Sequence, residues 1–276
     1  MATAQASKAE AFRKLHAGPG ILVLPNAWDA MSARVFESQG FPAIGTSSGG
    51  VAFALGYPDG ERVPFAEMLQ AIARIVRTVS VPVTADIEAG YGPSIEAAVE
   101  SVKAVISVGA AGINLEDSSG PGELFDISSQ AAKIKAIQAS GAAAGVPLVI
   151  NARTDVFLAR IGDPATRFER AVERLNAFRD AGADCLFAPG VRDAETISKL
   201  VRAVRGPLNI LAGEGTPSAP ELQKMGVRRV SVGSGPARAA MTLVRRIGAE
   251  LLSSGTYGFT SGGVITHPEA NKLFER

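Results

Sequence analysis

The segment Asp86-Ile87-Glu88 sets two carboxylates two residues apart, after a strand-like run at 81–86 and before a glycine-bracketed turn. Side chains alternate faces along a strand, so this spacing predicts that Asp86 and Glu88 point the same way. Two crowded acids repel each other unless a cation or a proton is shared between them. A hard divalent cation, Mg²⁺ with Mn²⁺ as the alternative, would remove this repulsion. The competing interpretation is one solvated acid and one helix-capping acid.

Polar side chains also end the neighbouring strand-like runs. Glu116 closes the fourth run, and Arg153 follows the fifth. A metal ion and a guanidinium together form a clamp for a small polyanion, because an arginine can bind a carboxylate in bidentate fashion. Metal-stabilised enolate chemistry uses such a set of groups. The alternative for Arg153 is a structural ion pair with Asp117 or Asp155.

Main-chain amides offer a further anion site. Ser48-Gly49-Gly50 follows the second strand-like run, and its N–H groups could bind a substrate oxygen. A rival signal lies after the seventh and eighth runs, where Gly213-Glu214-Gly215 and Gly233-Ser234-Gly235 occupy the usual phosphate-binding position of a barrel. Tight turns are the alternative interpretation of these glycines, and Glu214 would oppose a phosphate.

Short apolar or β-branched runs alternate with amphipathic segments along the chain. The runs of strand length are 21–24, 43–46, 81–86, 112–116, 147–151, 184–188, 208–211 and 229–232. Helical periodicity marks 65–79, 95–108, 128–144, 165–181, 194–204 and 237–252. Eight runs in this alternation favour a closed (β/α)8 TIM-type barrel over an open doubly wound sheet. We expect one domain over residues 1–276, with an N-terminal surface helix at about 5–17 and a C-terminal extension at about 255–276.

Composition excludes several classes of protein. The 276 residues carry a formal net charge of +1 and no basic tract, so we expect neither nucleic acid nor a membrane as a partner. No apolar stretch approaches the roughly 20 residues of a membrane span. The single cysteine, Cys185, predicts a buried thiol and a reducing, cytoplasmic location. His16 and His267 are interpreted as surface residues near the termini, which argues against a histidine metal site.

The motifs described above occur together in a known group of enzymes. The chain resembles the isocitrate lyase/phosphoenolpyruvate mutase superfamily over about residues 15–256. The residues that carry the resemblance are Pro25-Asn26-Ala27-Trp28-Asp29, Ser48-Gly49-Gly50, Pro58-Asp59, Asp86-Ile87-Glu88-Ala89-Gly90-Tyr91-Gly92, Glu116-Asp117 and Asn151-Ala152-Arg153-Thr154-Asp155. The resemblance implies a (β/α)8 barrel whose last helix is exchanged with a neighbouring subunit, in a homodimer or homotetramer.

The resemblance also implies a metal site. Mg²⁺ would be held directly by Asp86, while Asp59, Glu88 and Glu116 would reach the ion mostly through water. Members of this superfamily cleave or form bonds alpha to an oxo acid through a Mg²⁺-bound enolate. They include carbon–carbon lyases, a decarboxylase and phosphonopyruvate enzymes.

Substrate binding is the other implied function. Ser48, Gly49 and Arg153 match residues that bind the substrate's carboxylate or phosphonate, and Gly50 continues the same backbone. Thr46 stands where an aromatic residue packs near the substrate in both branches of the superfamily.

Several positions depart from the pattern of the superfamily. The stretch at 117–124 has no cysteine, lysine or histidine, whereas the lyases carry a general-acid cysteine on a gating loop there. Pro189-Gly190 replaces the glutamate of lyases or the histidine of the mutase, and Gly213 replaces an asparagine. Glycines and a proline after Asp117 predict a flexible lid instead. The implied metal residues are therefore retained, while the residues that set specificity differ.

The leading hypothesis is a Mg²⁺-dependent lyase or decarboxylase for a small 2-oxo or 2-hydroxy dicarboxylate. Loss of the gating-loop acid favours decarboxylation, or a lyase whose proton comes from Tyr91 or a metal-bound water. For Tyr91 the alternative is packing against the adjacent helix. A phosphoenolpyruvate or phosphonopyruvate mutase, or a C–P hydrolase, is the second hypothesis. A non-catalytic 2-oxo-acid binder is the third.

Overall fold

The computed structural model describes residues 2–92 and 94–275, which form alternating strands and helices. The strands are β1 (Leu22–Leu24), β2 (Asn26–Ala27), β3 (Ile44–Thr46), β4 (Val83–Asp86), β5 (Gly112–Glu116), β6 (Ser118–Gly120), β7 (Glu123–Leu124), β8 (Val149–Arg153), β9 (Cys185–Phe187), β10 (Leu208–Leu211) and β11 (Arg229–Ser231). The helices are α1 (Ala2–Ala17), α2 (Ala30–Ser38), α3 (Ser48–Leu55), α4 (Phe65–Thr78), α5 (Ile95–Ser107), α6 (Ile127–Ala143), α7 (Arg167–Asp180), α8 (Ala194–Ala203), α9 (Ala219–Met225), α10 (Gly235–Ser253) and α11 (His267–Phe274).

The long strands form a parallel barrel, which confirms the predicted fold class. The order is β1-β11-β10-β9-β8-β5-β4-β3-β2, so the first and last strands along the chain are neighbours. Pro25 separates β1 from β2 because proline has no N–H for a ladder. Its carbonyl still accepts a hydrogen bond from Gly45 N at 2.9 Å. β1 pairs with β11 and β2 pairs with β3, so residues 22–27 close the barrel as one strand with a proline interruption.

The amphipathic segments predicted as helices are helices, with bounds within two residues of the prediction. On α4, Met68, Ile72 and Ile75 are buried, which is the spacing of one helical face. The prediction missed α2, α3 and α9, each no longer than two or three turns. Local capping starts α2, where the Asp29 side chain accepts a hydrogen bond from Ser32 N at 2.7 Å.

The N-terminal helix α1 has an exposed face and a buried face. Ala9, Phe12 and His16 lie on one face of α1, and all three are buried. Phe12 packs among Leu22 and Val149, near the starts of their strands. The spacing of three and four residues places these side chains on one face, which covers the N-terminal end of the barrel. The assignment of His16 to the surface is therefore corrected.

The C-terminal extension contains the short helix α11, which contacts α2. The Arg34 side chain donates a hydrogen bond to the carbonyl of Leu273. Several apolar side chains of α10, including Met241, Val244 and Leu252, are exposed. Exchange of the last helix between subunits stays a prediction. Within the described ranges, the structure contains no helix long and apolar enough to cross a membrane.

Acid should destabilise the protein through His16. Burial first, and then the charge of Arg229, lowers the pKa of His16 from 6.5 to about 3. Its Nδ1–H donates to the carbonyl of Phe12 at 2.9 Å, which opposes the shift, but burial and Arg229 prevail and hold the ring neutral in the folded state. A depressed pKa in the folded state means that this stability is complete above the unfolded pKa and is lost as pH falls through the interval towards about 3.

We expect His16→Leu to remove a pH-dependent loss of about 2 kcal/mol between about pH 7 and about pH 5. Urea unfolding at both pH values measures the difference between variant and parent. His267→Leu, at an exposed position on α11, is the matched control and should keep the parental pH dependence. An unchanged pH dependence in His16→Leu would contradict the assignment.

Candidate active site

Asp86, the last residue of β4, is fixed by hydrogen bonds from three directions. Its Oδ2 accepts from Ser48 N at 3.0 Å and from Ser48 Oγ at 2.8 Å. Its Oδ1 accepts from Asn114 Nδ2 at 2.9 Å, and its own N–H donates to Thr46 Oγ1 at 2.8 Å. These donors hold the carboxylate at the carboxyl end of the strand, in the region where barrel enzymes place reactive groups.

A second asparagine supports the first. Asn151 Nδ2 donates to Asn114 Oδ1 at 2.7 Å, so a chain of hydrogen bonds runs from Asn151 through Asn114 to Asp86. Asn114 and Asn151 are paired in register between β5 and β8, and both are buried. A buried network of this kind fixes the orientation of its members. The Asp86 side chain is therefore preorganised before any ligand arrives.

A cavity of about 280 Å³ opens beside Asp86 at the centre of the barrel. Thr46, Ser48, Gly49 and Arg153 line it, and their role in substrate binding stays a prediction. Ser234, from the rival phosphate-binding motif, lines the cavity too, together with residues that the sequence analysis did not assign to a site, namely Asn26, Asn114, Arg192, Arg229 and Arg238.

Gly49 and Gly50 have different functions in the structure. A Cβ on Gly49 would lie 2.7 Å from Asp59 Oδ2, so glycine is required for Asp59 to reach the cavity. Gly50 lies behind the residues that line the cavity. A Cβ on Gly50 would be 2.9 Å from Trp28 Cβ, and the Gly50 N–H donates to Ser47 Oγ. The prediction of Gly50 as a substrate-binding residue is corrected, because helix α3 begins at Ser48 and turns Gly50 inward.

Glu88 and Glu116 lie in an adjoining cavity of about 680 Å³, and Asp59 lines both cavities. The prediction that Glu88 continues the strand face of Asp86 was wrong. β4 ends at Asp86, and Glu88 has a left-handed φ of 52°, which ends the alternation of a strand. Glu116 N donates to the carbonyl of Glu88 at 2.9 Å, so these two acids are direct neighbours.

Three hydrogen bonds, which run in both directions, join the loop of Asp59 to the loop of Glu88. Glu61 N donates to Glu88 Oε2, while Glu61 Oε1 accepts from Ala89 N at 3.1 Å and Tyr91 N at 3.0 Å. Glu61, Glu88 and Tyr91 all have positive φ values near 50°. Such backbone conformations are unfavourable for residues with side chains and concentrate at functional sites. Glu61 therefore positions two acids of the site, a function that the sequence did not reveal.

Tyr91 hydroxyl donates to Glu88 Oε1 at 3.0 Å, and its ring centroid lies 5.1 Å from that of Phe65. Burial, followed by the charge of Glu88, raises the pKa of Tyr91 above its usual value. Tyr91 therefore packs against Phe65 at the start of α4 and also contacts an acid of the cluster. A raised pKa makes the hydroxyl a weaker acid, and its function as proton donor stays a prediction.

Arg153 is surrounded by carboxylates. Its Nε and Nη2 donate to Asp155 at 2.6 and 2.8 Å, and its Nη1 forms an ion pair with Glu116 at 2.7 Å. Of the two alternative ion pairs, the one with Asp155 is present. Asp117 instead pairs with Arg174 at 2.6 Å. Arg153 can still bind a substrate oxygen through a remaining N–H, but its charge is already offset by two acids.

The acids around Asp86 carry more negative charge than Arg153 can balance. Burial, then the charge of Asp86, raises the pKa of Glu88 to about 7. The same two causes raise the pKa of Asp59. Burial also raises the pKa of Glu116, with Arg153 opposing and the acids Asp155, Asp86 and Glu88 reinforcing the shift. Burial and the mutual repulsion of the acids therefore both favour the protonated forms in this cluster.

A divalent cation fits this donor set. Oxygen ligands and unbalanced negative charge are what Mg²⁺ requires, and Mg²⁺ usually keeps several waters. Among the described residues, no group of three Asp, Glu, His or Cys side chains is arranged as a direct ligand set. One direct carboxylate, Asp86, with water-mediated contacts for Asp59, Glu88 and Glu116 stays a prediction from the resemblance.

The loop after Asp117 is an ordered hairpin of β6 and β7 rather than an irregular segment. Gly120 and Gly122 have positive φ values of 156° and 77° on either side of Pro121. The hairpin lines the cavity that contains Glu88 and Glu116. It lies where a lid would lie, and its closure stays a prediction.

The alternation of side chains along a strand could have revealed two of the missed residues. Asn114 lies two residues before Glu116, and Asn151 lies two residues before Arg153, so each shares a strand face with a predicted site residue. Arg192 and Arg238 carried no local signal, because they reach the cavity from a loop and from the first turn of α10.

Fold and site together define a (β/α)8 barrel with an acid-rich cavity at the carboxyl ends of its strands. Comparison with protein families matches residues 12–252 to the phosphoenolpyruvate phosphomutase family. An uncharacterized protein of Mycobacterium tuberculosis is 37% identical over 231 residues, which cover 83% of this chain and 84% of the relative. The chain therefore belongs to the phosphoenolpyruvate phosphomutase family, within the isocitrate lyase/phosphoenolpyruvate mutase superfamily.

Relatives with named activities are more distant. A 2-methylisocitrate lyase of Bacillus subtilis is 29% identical over 89% of this chain and 82% of the relative. An oxaloacetate decarboxylase of Bradyrhizobium diazoefficiens is 28% identical over 86% of this chain and 83% of the relative. The solved structure of a phosphonopyruvate hydrolase with oxalate and Mg²⁺ has a TM-score of 0.84 at 25% identity, covering 96% and 94% of the two chains.

Mg²⁺ should stabilise the protein against thermal unfolding, because it would relieve the repulsion among the acids. We expect Asp86→Asn to abolish this stabilisation and to lower the affinity for Mg²⁺ at least about tenfold, as expected for the loss of the one direct charged ligand. Differential scanning calorimetry and isothermal titration calorimetry give the two quantities. Asp180→Asn, an exposed position on α7, is the matched control. An Asp86→Asn variant with parental Mg²⁺ affinity would disprove the site.

Mg²⁺ affinity should rise as pH increases through about 7, the pKa of Glu88. Below this pH the Glu88 side chain is mainly protonated, and the proton competes with Mg²⁺ for the carboxylate. Above this pH the carboxylate dominates. We expect the steepest change between about pH 6 and about pH 8, with protons released on binding. Titration calorimetry in buffers of different ionisation enthalpy measures that release. A flat profile over this interval would contradict it.

Proposed function

We propose that the protein is a Mg²⁺-dependent carbon–carbon lyase or decarboxylase that acts on a small 2-oxo or 2-hydroxy dicarboxylate. The observation that carries this proposal is the acid cluster around Asp86, in which burial and the charge of Asp86 raise the pKa of Glu88, beside a cavity lined by polar side chains. The named activities of the lyase and decarboxylase relatives support it.

Bound Mg²⁺ would stabilise the negative charge that develops on the oxygen of the 2-oxo group. Asp86 would hold the ion, and Asp59, Glu88 and Glu116 would position its waters. The chain itself supplies the remaining groups. At the N-terminus of α3 the Ser48 N–H is bound to Asp86, so the Gly49 N–H and the positive pole of the helix would bind a substrate carboxylate.

Decarboxylation requires less acid–base assistance from the protein than cleavage of a 2-hydroxy acid. In the first reaction CO₂ leaves and one proton is added to the remaining carbon, whereas the second must also remove the proton of a hydroxyl group. The hairpin at 118–124 contains no cysteine, lysine or histidine, and Tyr91 is bound to Glu88. The residues near the acid cluster therefore favour decarboxylation of a 2-oxo dicarboxylate.

Phosphonate chemistry is the second candidate. Ser234 and Arg238, at the N-terminus of α10, line the cavity together with Arg192. A helix N-terminus with nearby arginines is a common phosphate-binding arrangement. A mutase or a C–P hydrolase would place its phosphonate there. Phosphorus NMR of the protein incubated with phosphonopyruvate and Mg²⁺ distinguishes this candidate, because only phosphonate chemistry changes the phosphorus signal.

Oxaloacetate with Mg²⁺ is the first substrate to assay, followed by branched 2-hydroxy dicarboxylates. We expect turnover that requires Mg²⁺ and falls at least about 100-fold in kcat/KM for Asp86→Asn, because developing charge would lose its electrostatic stabilisation. Coupled detection of the keto-acid product measures the rate. Asp180→Asn, at an exposed position, again serves as the control.

The outcomes separate the three hypotheses. Turnover of a dicarboxylate supports a lyase or decarboxylase, and a changed phosphorus signal supports the second candidate. Stabilisation by oxo acids without turnover, even at high enzyme concentration, would support a non-catalytic binder and contradict the proposal. Assembly into a homodimer or homotetramer is part of the same proposal, and sedimentation velocity tests it.

A further inference from the structure

Arg229 is a buried cation at the floor of the active-site cavity. It is the first residue of β11, and its side chain lines the cavity from inside the barrel. Only 2% of the residue is exposed. Its register partners are Leu22 on β1 and Asn209 on β10, and its guanidinium carbon lies 5.9 Å from the centre of the Phe12 ring. A full positive charge is therefore located below the acids of the site.

Two of the three guanidinium nitrogens of Arg229, Nε and Nη1, have no hydrogen-bond partner among the described residues. No described carboxylate forms an ion pair with the guanidinium. Thr84 Oγ1, in the wall of the same cavity, is buried and without a partner as well. An unpaired buried ion is strongly unfavourable, so proteins normally pair such groups. Burial lowers the pKa of Arg229, while Asp86 is among the groups that oppose this shift.

The other arginines of the cavity are in different situations. Arg153 is occupied by Asp155 and Glu116. Arg192 and Arg238 are exposed at the mouth, and Arg192 Nη1 donates to the carbonyl of Glu214 at 3.1 Å. Exposed arginines are solvated without a ligand, whereas Arg229 is shielded from bulk water. Among these four, Arg229 gains most from an anion delivered by the substrate.

We propose that Arg229 binds the second carboxylate of the substrate, so that the site selects 2-oxo dicarboxylates over 2-oxo monocarboxylates. This inference rests on the proposed function, and it names the residue that recognises the end of the oxo acid away from the metal. One cavity of about 280 Å³ extends from Ser48 and Gly49 to Arg229, so a single small molecule can contact both ends. Charge and burial at the floor favour a carboxylate over a methyl group.

Two pairs of ligands test whether the site selects dicarboxylates. The first pair is oxaloacetate and 2-oxobutanoate, and the second is 2-oxoglutarate and 2-oxopentanoate. In each pair the first ligand has a terminal carboxylate where the second has a methyl group. Titration calorimetry with Mg²⁺ gives the affinities, and the pair of 2-oxoglutarate and 2-oxopentanoate carries the test if the parent consumes oxaloacetate. For at least one pair, we expect the parent to bind the dicarboxylate about 10- to 100-fold more tightly, as for a hydrogen bond to a charged group. In Arg229→Met this preference should fall to about threefold or less.

Thermal unfolding separates a ligand-binding arginine from a structural one. Without ligand, Arg229→Met should unfold at a temperature no lower than that of the parent, because it removes an unpaired buried charge. Arg229→Gln repeats the test in a polar side chain if the methionine variant does not fold. Arg192→Met and Arg238→Met at the mouth are the controls and should keep the dicarboxylate preference.

Each result has a defined meaning. Loss of the preference only in the Arg229 variants supports the inference. Loss only in the Arg192 or Arg238 variants would place the second carboxylate at the mouth and overturn it. Oxo acids that bind the parent without preference for a dicarboxylate would also overturn it. A dicarboxylate preference that stays unchanged while chloride occupies the site at Arg229 would overturn it as well. If no oxo acid binds the parent at all, the proposed function itself fails, which is a distinguishable outcome.

Discussion

Mutual repulsion of carboxylates around Asp86 is the constraint on which the site depends. Asp59, Asp86, Glu88 and Glu116 influence one another electrostatically, and Arg153 offsets only part of their charge. Such a cluster is stabilised by protons or by a cation, and burial together with the charge of Asp86 raises the pKa of Glu88 to about 7. The fold holds these acids together at the expense of local stability, as is common at functional sites.

The barrel separates the packing that stabilises the fold, outside the strands, from the polar contacts that orient the acids, inside the strands. Apolar packing lies mainly between the strands and the surrounding helices, where residues such as Ile113, Ile134 and Leu175 form the large core. The barrel interior is polar by comparison, with Asn114, Asn151 and Arg229 buried inside it. Core packing supplies stability, while hydrogen bonds within the interior orient Asp86. The site can therefore be strained without loosening the whole domain.

Backbone conformation contributes as much to the site as side-chain identity. Glu61, Glu88 and Tyr91 adopt left-handed conformations, and the Glu61 hydrogen bonds hold the two loops together. Gly49 permits the approach of Asp59 because no Cβ occupies the space. The position of the acids thus depends on contacts between loops far apart in sequence. A change at Glu61 would alter the metal site without removing any of its ligands.

Sequence alone determined the barrel, its long helices and the acids at the strand ends, because hydrophobic periodicity and strand ends are local properties. It also placed Thr46, Ser48, Gly49, Asp86 and Arg153 at one cavity. Tertiary structure alone decided three further points: the burial of His16 under the barrel, the separation of Glu88 from the strand face, and the unpaired Arg229 beneath the cavity. Each depends on which distant side chains share a space, and spacing along the chain does not encode that.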